Sequence, residues 1–245
     1  MLSSDERLRY KRQLIMHDVG EEGQLKLRKT KVLVIGAGGL GSPVLFYLTA
    51  MGIGTIGIVD SDNVDLSNLQ RQILHDTNKI GVNKVKSAKE SLERLNPHIN
   101  LVEYPFRITK NNCVPLISDY DIIVTALDNL TTRYLVNETC VSLRKPLVEA
   151  GVAGWEGLAT TIIPGKSPCY RCIFPTMPEE NEGEIGLIGC LPGVLGTIQA
   201  MEVVKLVLKL GNTLTNRLLV FDGLELTFSE FKMERNMNCP VCGNI

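Results

Sequence analysis

This chain of 245 residues has almost no excess of charge of one sign, few aromatic side chains and few histidines. Its 26 basic and 27 acidic residues leave a formal net charge of −1, aromatic residues make up 5% of the sequence, and there are three histidines. A near-neutral chain lacks the broad basic surface of proteins that bind nucleic acid. We therefore expect no nucleic-acid partner, and any site for a polyanion must be local.

Long uninterrupted apolar runs are also missing. Residues 1–20, MLSSDERLRYKRQLIMHDVG, lack the apolar core of a secretory signal. No run reaches the roughly 18 apolar residues that a membrane-spanning helix needs, and the apolar-rich stretch at 200–210 is interrupted by Glu202, Lys205 and Lys209. With 44% apolar residues the chain has enough material for a full core. We expect a cytoplasmic protein with no membrane partner.

Seven cysteines, an odd number, argue against a closed disulfide framework. Four of them form two CxxC pairs, Cys169 with Cys172 and Cys239 with Cys242. In a reducing compartment such pairs predict a structural zinc site, because the two-residue spacer lets both thiolates face one tetrahedral ion. The long separation between the pairs predicts that zinc ties the end of the chain to its middle. A redox-active CxxC, or two unrelated pairs, is the alternative.

Apolar runs alternate with amphipathic segments through the first 150 residues. Strands are predicted at 31–35, 54–60, 100–108, 120–129 and from 146, and helices at 4–18, 40–51, 83–97 and 131–145. This order predicts an α/β fold with a Rossmann-like, doubly wound, mainly parallel sheet. A strand at 157–165, a helix at 193–210 and a hairpin turning at Asp222 and Gly223 predict antiparallel C-terminal strands that extend the sheet.

A glycine cluster follows the first predicted strand. In KVLVIGAGGLGSPV, Gly36, Gly38 and Gly41 form a GxGxxG pattern that also contains Gly39. Between a strand and a helix, such glycines let the backbone approach a phosphate group. Asp60, at the end of the second predicted strand, is placed to bond a ribose hydroxyl. These features fit NAD and ATP equally well.

Polar residues farther along the chain favour ATP. The segment DLSNLQRQ places Asn68 and Arg71 on one side of a turn, and Lys84 follows soon after. Arginine and lysine supply fixed cations for a phosphate beyond the pyrophosphate. Asp128 is expected at the same sheet edge, where a carboxylate is a natural Mg²⁺ ligand. This set suits nucleotidyl transfer better than hydride transfer, so an NAD(P)-dependent oxidoreductase is the less favoured alternative.

Several segments together resemble the MoeB/ThiF (HesA) family, the bacterial and archaeal relatives of ubiquitin-activating E1 enzymes. The segments are GAGGLGSPV, DNVDLSNLQRQ, KVKSAKESLERLNPHI, ALDN, PCYRC, GTIQAMEVVK and NCPVCG. The resemblance runs from RYKRQ near the N-terminus to the last CxxC pair. It implies a single domain over 1–245, with a helical arm (1–30), a nucleotide-binding half (31–150) and a zinc-containing, carrier-binding half (151–245).

The resemblance implies an adenylyltransferase. In this family ATP adenylates the C-terminal glycine of a small ubiquitin-like sulfur carrier ending in Gly-Gly, with release of pyrophosphate. The implied nucleotide contacts are Gly36, Gly38, Gly39, Gly41, Asp60, Ser67, Asn68, Arg71, Lys84, Asp128 and Asn129. The implied catalytic residues are Arg71, Lys84, Asp128 with Mg²⁺, and Arg12, which reaches into the partner's site of an obligate homodimer. A sulfur donor such as a cysteine desulfurase or a rhodanese is a further expected partner.

One position departs from the family pattern. Some relatives carry a cysteine, before the GTIQA helix, that links covalently to the carrier, and the corresponding position here is near Glu182. Cys190 lies nearby among glycines and is a candidate sulfur-handling thiol, although a packing role is the simpler interpretation. Cys113 and Cys140 fall in predicted helices and are expected to be buried. A peptide terminus or a modified tRNA is the alternative acceptor, and the neutral charge argues against tRNA.

Overall fold

One eight-stranded sheet runs through the molecule, whose computed structural model describes residues 1–177 and 186–245. The strand order is β3-β2-β1-β4-β5-β6-β7-β8. The strands are β1 (Lys31–Ile35), β2 (Thr55–Val59), β3 (Asn100–Tyr104), β4 (Ile122–Thr125), β5 (Leu147–Ala153), β6 (Glu156–Ile162), β7 (Arg217–Asp222) and β8 (Thr227–Lys232). Pairing is parallel from β3 to β5 and antiparallel from β5 to β8. The predicted fold class is confirmed.

Helices cover both faces of the parallel half. Within the described ranges they are α1 (Ser4–Arg9), α2 (Lys11–Leu14), α3 (Gly20–Lys29), α4 (Gly41–Met51), α5 (Lys84–Leu95), α6 (Lys110–Ser118), α7 (Leu130–Leu143), α8 (Tyr170–Ile173) and α9 (Leu191–Leu208). Two segments, Leu66–Asn68 and Thr77–Lys79, form single 3-10 turns between β2 and α5.

The central strand β1 contributes side chains to two separate cores, because its side chains alternate between the two faces of the sheet. Val32 and Val34 pack with α4, α5 and α9 on one face, and Leu33 and Ile35 pack with α6 and α7 on the other. All four side chains are buried. Because both faces are covered, β1 is apolar along its length, which is why the sequence pattern identified this strand.

The N-terminal arm differs from its prediction. The expected helix over 4–18 is broken at Tyr10, and α3 follows where no helix was predicted. Tyr10 is 3% exposed, and its hydroxyl accepts a hydrogen bond from Asn96 Nδ2 at 2.9 Å, so a long-range contact holds the break. The helix predicted around Cys113, without bounds, is α6, and it contains Pro115, a residue that normally argues against a helix interior.

The long apolar helix α9 belongs to the core. By length and composition it is the one helix among the described residues that meets the requirement for crossing a membrane, and half of it is buried inside the protein. It crosses α4 so closely that a Cβ on Gly196 would lie 2.5 Å from the carbonyl oxygen of Leu40. The buried Glu202 on α9 accepts hydrogen bonds from Thr161 Oγ1 at 2.5 Å and Leu214 N at 2.6 Å. These contacts attach α9 to the antiparallel part of the sheet.

Candidate functional site

The turn after β1 brings backbone against backbone. Gly36 has φ of +106°, and a Cβ there would lie 2.3 Å from the carbonyl oxygen of Ala126, just after β4. A Cβ on Gly41 would lie 2.0 Å from the carbonyl oxygen of Gly36. Side chains are therefore excluded at both positions, and α4 begins within the turn. Gly38 and Gly39 of the turn are partly exposed, and glycine backbone at a helix start, approached without side-chain obstruction, is suited to an anion.

Asp60 stands beside this turn, directly after β2. Its Oδ2 accepts a hydrogen bond from Ala37 N at 2.8 Å, and its Oδ1 accepts from Asp62 N at 2.9 Å. The side chain is half-buried. The carboxylate is thus held in place by backbone donors, and its remaining lone pairs are suited to a hydroxyl group of a ligand.

Ser67, Asn68 and Arg71 lie on and just after the 3-10 turn at Leu66–Asn68. The carbonyl of Asn68 accepts a hydrogen bond from Arg71 N at 3.1 Å, which places both residues on one turn, as predicted. A Cβ on Gly39 would lie 3.3 Å from Arg71 Cγ. The stem of the arginine therefore packs against the glycine turn. We call the surface formed by the glycine turn, Asp60, the 3-10 turn at Leu66–Asn68 and Arg71 the mouth.

Lys84 is the first residue of α5 and is 6% exposed. Its Nζ lies 3.1 Å from Asp62 Oδ2, two residues beyond Asp60. Asp128 and Asn129 follow β4, which pairs with β1, so both come from the same sheet edge. Both are exposed, and Asn129 caps α7 by accepting a hydrogen bond from Thr132 N at 2.9 Å. The structure thus gathers most of the sequence-predicted site residues at one edge.

His75 is a residue of this region that the sequence did not single out. Its Nε2 lies 2.9 Å from the carbonyl oxygen of Ala37 in the glycine turn, and its Nδ1 lies 2.9 Å from Ser87 Oγ on α5. Burial lowers the pKa of His75, and its neighbour Lys84 lowers it further. A lone histidine carries no spacing signal, so only the tertiary contacts reveal this connection between the turn and α5.

Cys190 caps α9 and is exposed, which does not fit the expected packing role. Pro192, two residues on, approaches the glycine turn, since a Cβ on Gly39 would lie 3.2 Å from Pro192 Cγ. Cys190 is therefore next to the mouth. Glu182 lies outside the described residues. The expected burial of the two remaining thiols is confirmed for Cys113 and Cys140.

Arg12 is not brought to the mouth within one chain. It is exposed on α2, and the neighbouring Gln13 donates to the carbonyl of Met51 at the C-terminal end of α4. The glycine turn lies at the other end of this helix of 11 residues, about 16 Å away at 1.5 Å per residue. A second copy of the chain is needed if Arg12 is to act at the mouth.

The four paired cysteines meet, as predicted. Their Sγ atoms all lie within 4.8 Å of one another, with separations of 3.7 Å between Cys169 and Cys239 and 3.3 Å between Cys172 and Cys242. A tetrahedral ZnS₄ centre with bonds of about 2.3 Å requires sulfurs about 3.8 Å apart. Burial raises the pKa of the Cys169 thiol, so a cation is needed to keep it ionised. The chemistry and spacing of the four thiols fit zinc.

Comparisons with known proteins identify the family and similar proteins. The ThiF family profile matches residues 10–241. "Adenylyltransferase and sulfurtransferase MOCS3" of Aedes aegypti is 44% identical over 248 aligned positions, covering 99% of this chain and 57% of that protein. "Sulfur carrier protein adenylyltransferase" of Thermus thermophilus is 42% identical over 245 positions, covering 96% of this chain and 90% of that protein. The chain therefore spans little more than half of the first relative and most of the second.

Solved structures share the fold. The crystal structure of E. coli MccB with ATP is 27% identical, with a TM-score of 0.86 over 98% of this chain and 75% of that one. The crystal structure of E. coli MccB with AMPCPP and selenomethionine MccA is 27% identical, with a TM-score of 0.83 over 90% of this chain and 68% of that one. The whole described architecture therefore has known structural counterparts.

Stability should fall as pH drops below about 6.5, the ordinary pKa of histidine. Because the pKa of His75 is lowered in the folded chain, the unfolded chain takes up a proton first. Its contribution is fully present above about pH 6.5 and is lost as pH falls toward the folded pKa. Urea unfolding between about pH 7 and pH 5 should show a shallower pH dependence in His75→Gln than in wild type. The exposed His17 provides the control, His17→Gln. An unchanged slope in His75→Gln would contradict this role.

Replacing one zinc ligand should release the metal. Wild-type protein should contain about one zinc per chain by elemental analysis, and Cys242→Ser should lose most of it, with a lower unfolding midpoint, because three thiolates leave the tetrahedral shell incomplete. Cys190→Ser, which changes an exposed thiol outside the cluster, should keep the metal and the midpoint. Equal zinc content in the two variants would show that the cluster does not bind zinc.

Proposed function

Since this chain belongs to the ThiF family, we propose that it adenylates the C-terminal carboxylate of a small ubiquitin-like sulfur carrier ending in Gly-Gly, using ATP and releasing pyrophosphate. The observation that carries the proposal is a pair of cations at this sheet edge: the stem of Arg71 packs against Gly39, and Lys84 lies 3.1 Å from Asp62, two residues beyond Asp60. The Thermus thermophilus relative, matched over 90% of its length, is named for this activity.

Each residue of the mouth has a role that follows from its chemistry. The glycine turn and the start of α4 would receive phosphate groups through backbone N–H groups. Asp60 would accept hydrogen bonds from ribose hydroxyls, since backbone donors already orient it. Asn68, Arg71 and Lys84 would contact the phosphates. Ser67 and Asn129 are further proposed contacts, at the rim of the mouth.

The reaction needs alignment more than proton transfer. The terminal carboxylate of the carrier is ionised at pH 7 and attacks the α-phosphorus without a general base. A bond forms from a carboxylate oxygen to that phosphorus, and the bond from the phosphorus to the β-phosphate bridging oxygen breaks. The pyrophosphate leaves with the electron pair. Arg71 and Lys84 would stabilise the negative charge that builds up on the phosphates.

Asp128 is the proposed Mg²⁺ ligand. It is exposed at the edge formed by β1 and β4, close to the glycine turn that contacts the end of β4 at Ala126. A hard oxygen donor beside phosphate oxygens is the ligand type that Mg²⁺ takes. The ion, when bound, would neutralise charge on the phosphates.

Arg12 would complete the site of a second copy in a homodimer. It lies on the arm, away from the mouth of its own chain. Three apolar side chains around it are exposed, with Leu8 at 72%, Ile15 at 66% and Met16 at 48%. Exposed apolar groups clustered on one arm are typical of a surface that a partner covers. A dimer through this arm would carry each Arg12 toward its partner.

The antiparallel half, 151–245, is the proposed carrier-binding part, next to the nucleotide-binding part (31–150) and the arm (1–30). Cys190 is placed beside the mouth and is a candidate thiol for sulfur handling. The Aedes aegypti relative is also named a sulfurtransferase, and this chain covers 57% of it. A sulfur donor, such as a cysteine desulfurase or a rhodanese, is a further proposed partner. Four zinc-bound thiolates suit a reducing compartment such as the cytoplasm.

Adenylation of a peptide terminus is the second candidate. It is favoured by the fold shared with E. coli MccB, whose structures include ATP and MccA. The identity to that protein is 27%, against 42% to the sulfur carrier protein adenylyltransferase. The acceptor distinguishes the two candidates, because the nucleotide mouth serves both. Arg71 and Lys84 count against an NAD(P)-dependent oxidoreductase.

Removing either Arg71 or Asp128 should abolish activation. Arg71→Ala and Asp128→Ala should each reduce carrier-dependent ATP–pyrophosphate exchange by about 100-fold or more. The first removes a cation at the reacting phosphates, and the second removes the proposed Mg²⁺ ligand. Radioactive exchange measures this directly. Arg94→Ala and Asp119→Ala, surface changes of the same types, should keep wild-type exchange. Wild-type exchange in Arg71→Ala or Asp128→Ala would refute the assignment.

Arg12 should act across the dimer. Arg12→Ala and Arg71→Ala homodimers should both be inactive in pyrophosphate exchange. A mixed dimer, isolated with two different affinity tags, contains one site in which both arginines are present, so it should recover about half of wild-type activity. If the mixed dimer stays inactive, Arg12 does not serve the partner's site.

A further inference from the structure

Four side chains between residues 65 and 72 form a chain of three hydrogen bonds. Ser67 Oγ lies 2.6 Å from Asp65 Oδ1, Asn68 Nδ2 lies 3.0 Å from Ser67 Oγ, and Gln72 Nε2 lies 2.6 Å from Asn68 Oδ1. The chain starts at the exposed Asp65 and ends at Gln72, which is 4% exposed. Gln72 lies under the glycine turn, because a Cβ on Gly38 would lie 3.4 Å from its Nε2.

The carboxylate of Asp65 sets the direction of all three hydrogen bonds. The hydroxyl and the backbone N–H of Ser67 both donate to it, and the hydroxyl bond above all lowers the pKa of Asp65, which is ionised at neutral pH. An ionised carboxylate only accepts, so the Ser67 hydroxyl proton must point to Asp65. The lone pairs of Ser67 then accept from the amide nitrogen of Asn68. The carbonyl of Asn68 is left to face Gln72.

This direction decides what Asn68 presents to a ligand. Its amide nitrogen lies toward the exposed Ser67, and its carbonyl oxygen lies toward the buried Gln72. One N–H is used by Ser67, and the second has no acceptor among residues 1–177 and 186–245. An outward N–H attracts a phosphate oxygen, whereas the reversed amide would present a carbonyl that repels it.

We propose that Asp65 is a positioning residue for nucleotide binding, which turns the amide N–H groups of Asn68 toward the phosphates. The inference rests on the proposed function, since it needs a phosphate at Asn68. Asp65 itself makes no contact with the ligand. It acts through Ser67 on Asn68, and Arg71 follows directly after the same 3-10 turn.

Simple electrostatics predicts the opposite effect for the same residue. A carboxylate near a triphosphate repels it, so removal of the Asp65 charge should strengthen ATP binding slightly. The positioning role predicts weaker binding, because a neutral side chain at position 65 can donate as well as accept and no longer imposes one direction. The sign of the change therefore separates the two effects.

The test measures ATP binding to the full-length protein by calorimetry with Mg²⁺. Asp65→Asn should raise the Kd about fivefold to tenfold, the loss of roughly one hydrogen bond. Asp76→Asn is the matched control: Asp76 caps the next 3-10 turn by accepting from Asn78 N at 2.8 Å, and its loss removes the same charge from the same kind of cap. This control should leave the Kd unchanged within about twofold. Thermal unfolding midpoints verify that both variants fold.

A double-mutant cycle tests whether Asp65 acts through Asn68. In an Asn68→Ala background, Asp65→Asn should change the Kd by less than about twofold, because the amide it orients is gone. Equal effects of Asp65→Asn in both backgrounds would overturn the inference, as would a Kd in Asp65→Asn equal to or lower than that of wild type.

Failure of the proposed function gives a different result. If wild-type protein does not bind ATP, and pyrophosphate exchange is absent with every carrier, the proposed function and the role of Asp65 both fall. If ATP binds and exchange proceeds, but Asp65→Asn behaves like Asp76→Asn, only the role of Asp65 falls.

Discussion

Two backbone segments lie against each other at the glycine turn, closer than any side chain would allow. A Cβ on Gly36 would meet the carbonyl of Ala126 at 2.3 Å, and one on Gly41 would meet the carbonyl of Gly36 at 2.0 Å. This contact sets the distance between the start of α4 and the end of β4. The proposed phosphate site, the carboxylate of Asp60 and the segment leading to Asp128 all take their positions from it.

Buried polar contacts hold the rest of the mouth around this turn. Ala37 donates to Asp60 through its N–H and accepts from His75 through its carbonyl. Both backbone polar groups of this residue are therefore hydrogen-bonded. His75 also contacts Ser87 on α5, the helix that begins with Lys84. Hydrogen bonds made away from solvent have a strict geometry, because an unpaired buried group is costly. The proposed cationic side chains are therefore attached to the turn through rigid elements.

Distant parts of the chain reach the same edge through two tertiary connections. The helix α9 crosses α4 at Gly196 and brings Pro192 and Cys190 beside the turn. The cysteine cluster joins the segment after β6 to the C-terminal residues, with Sγ atoms of Cys169 and Cys239 at 3.7 Å. Each connection links residues far apart in sequence, so the antiparallel half of the sheet has a defined place next to the proposed nucleotide site.

Local pattern in the sequence determined the parallel sheet, the glycine turn and the two cysteine pairs, because strand burial, close backbone approach and metal chelation each require particular residue types at short spacing. That Asn68, Arg71 and Lys84 lie on the same side of the sheet could be anticipated, because all three come after β2 at the carboxyl ends of the parallel strands. The break at Tyr10 and the contacts of His75 were decided only by tertiary structure. Each depends on partners that a lone tyrosine or histidine does not specify in sequence, and burial gives those partners their effect.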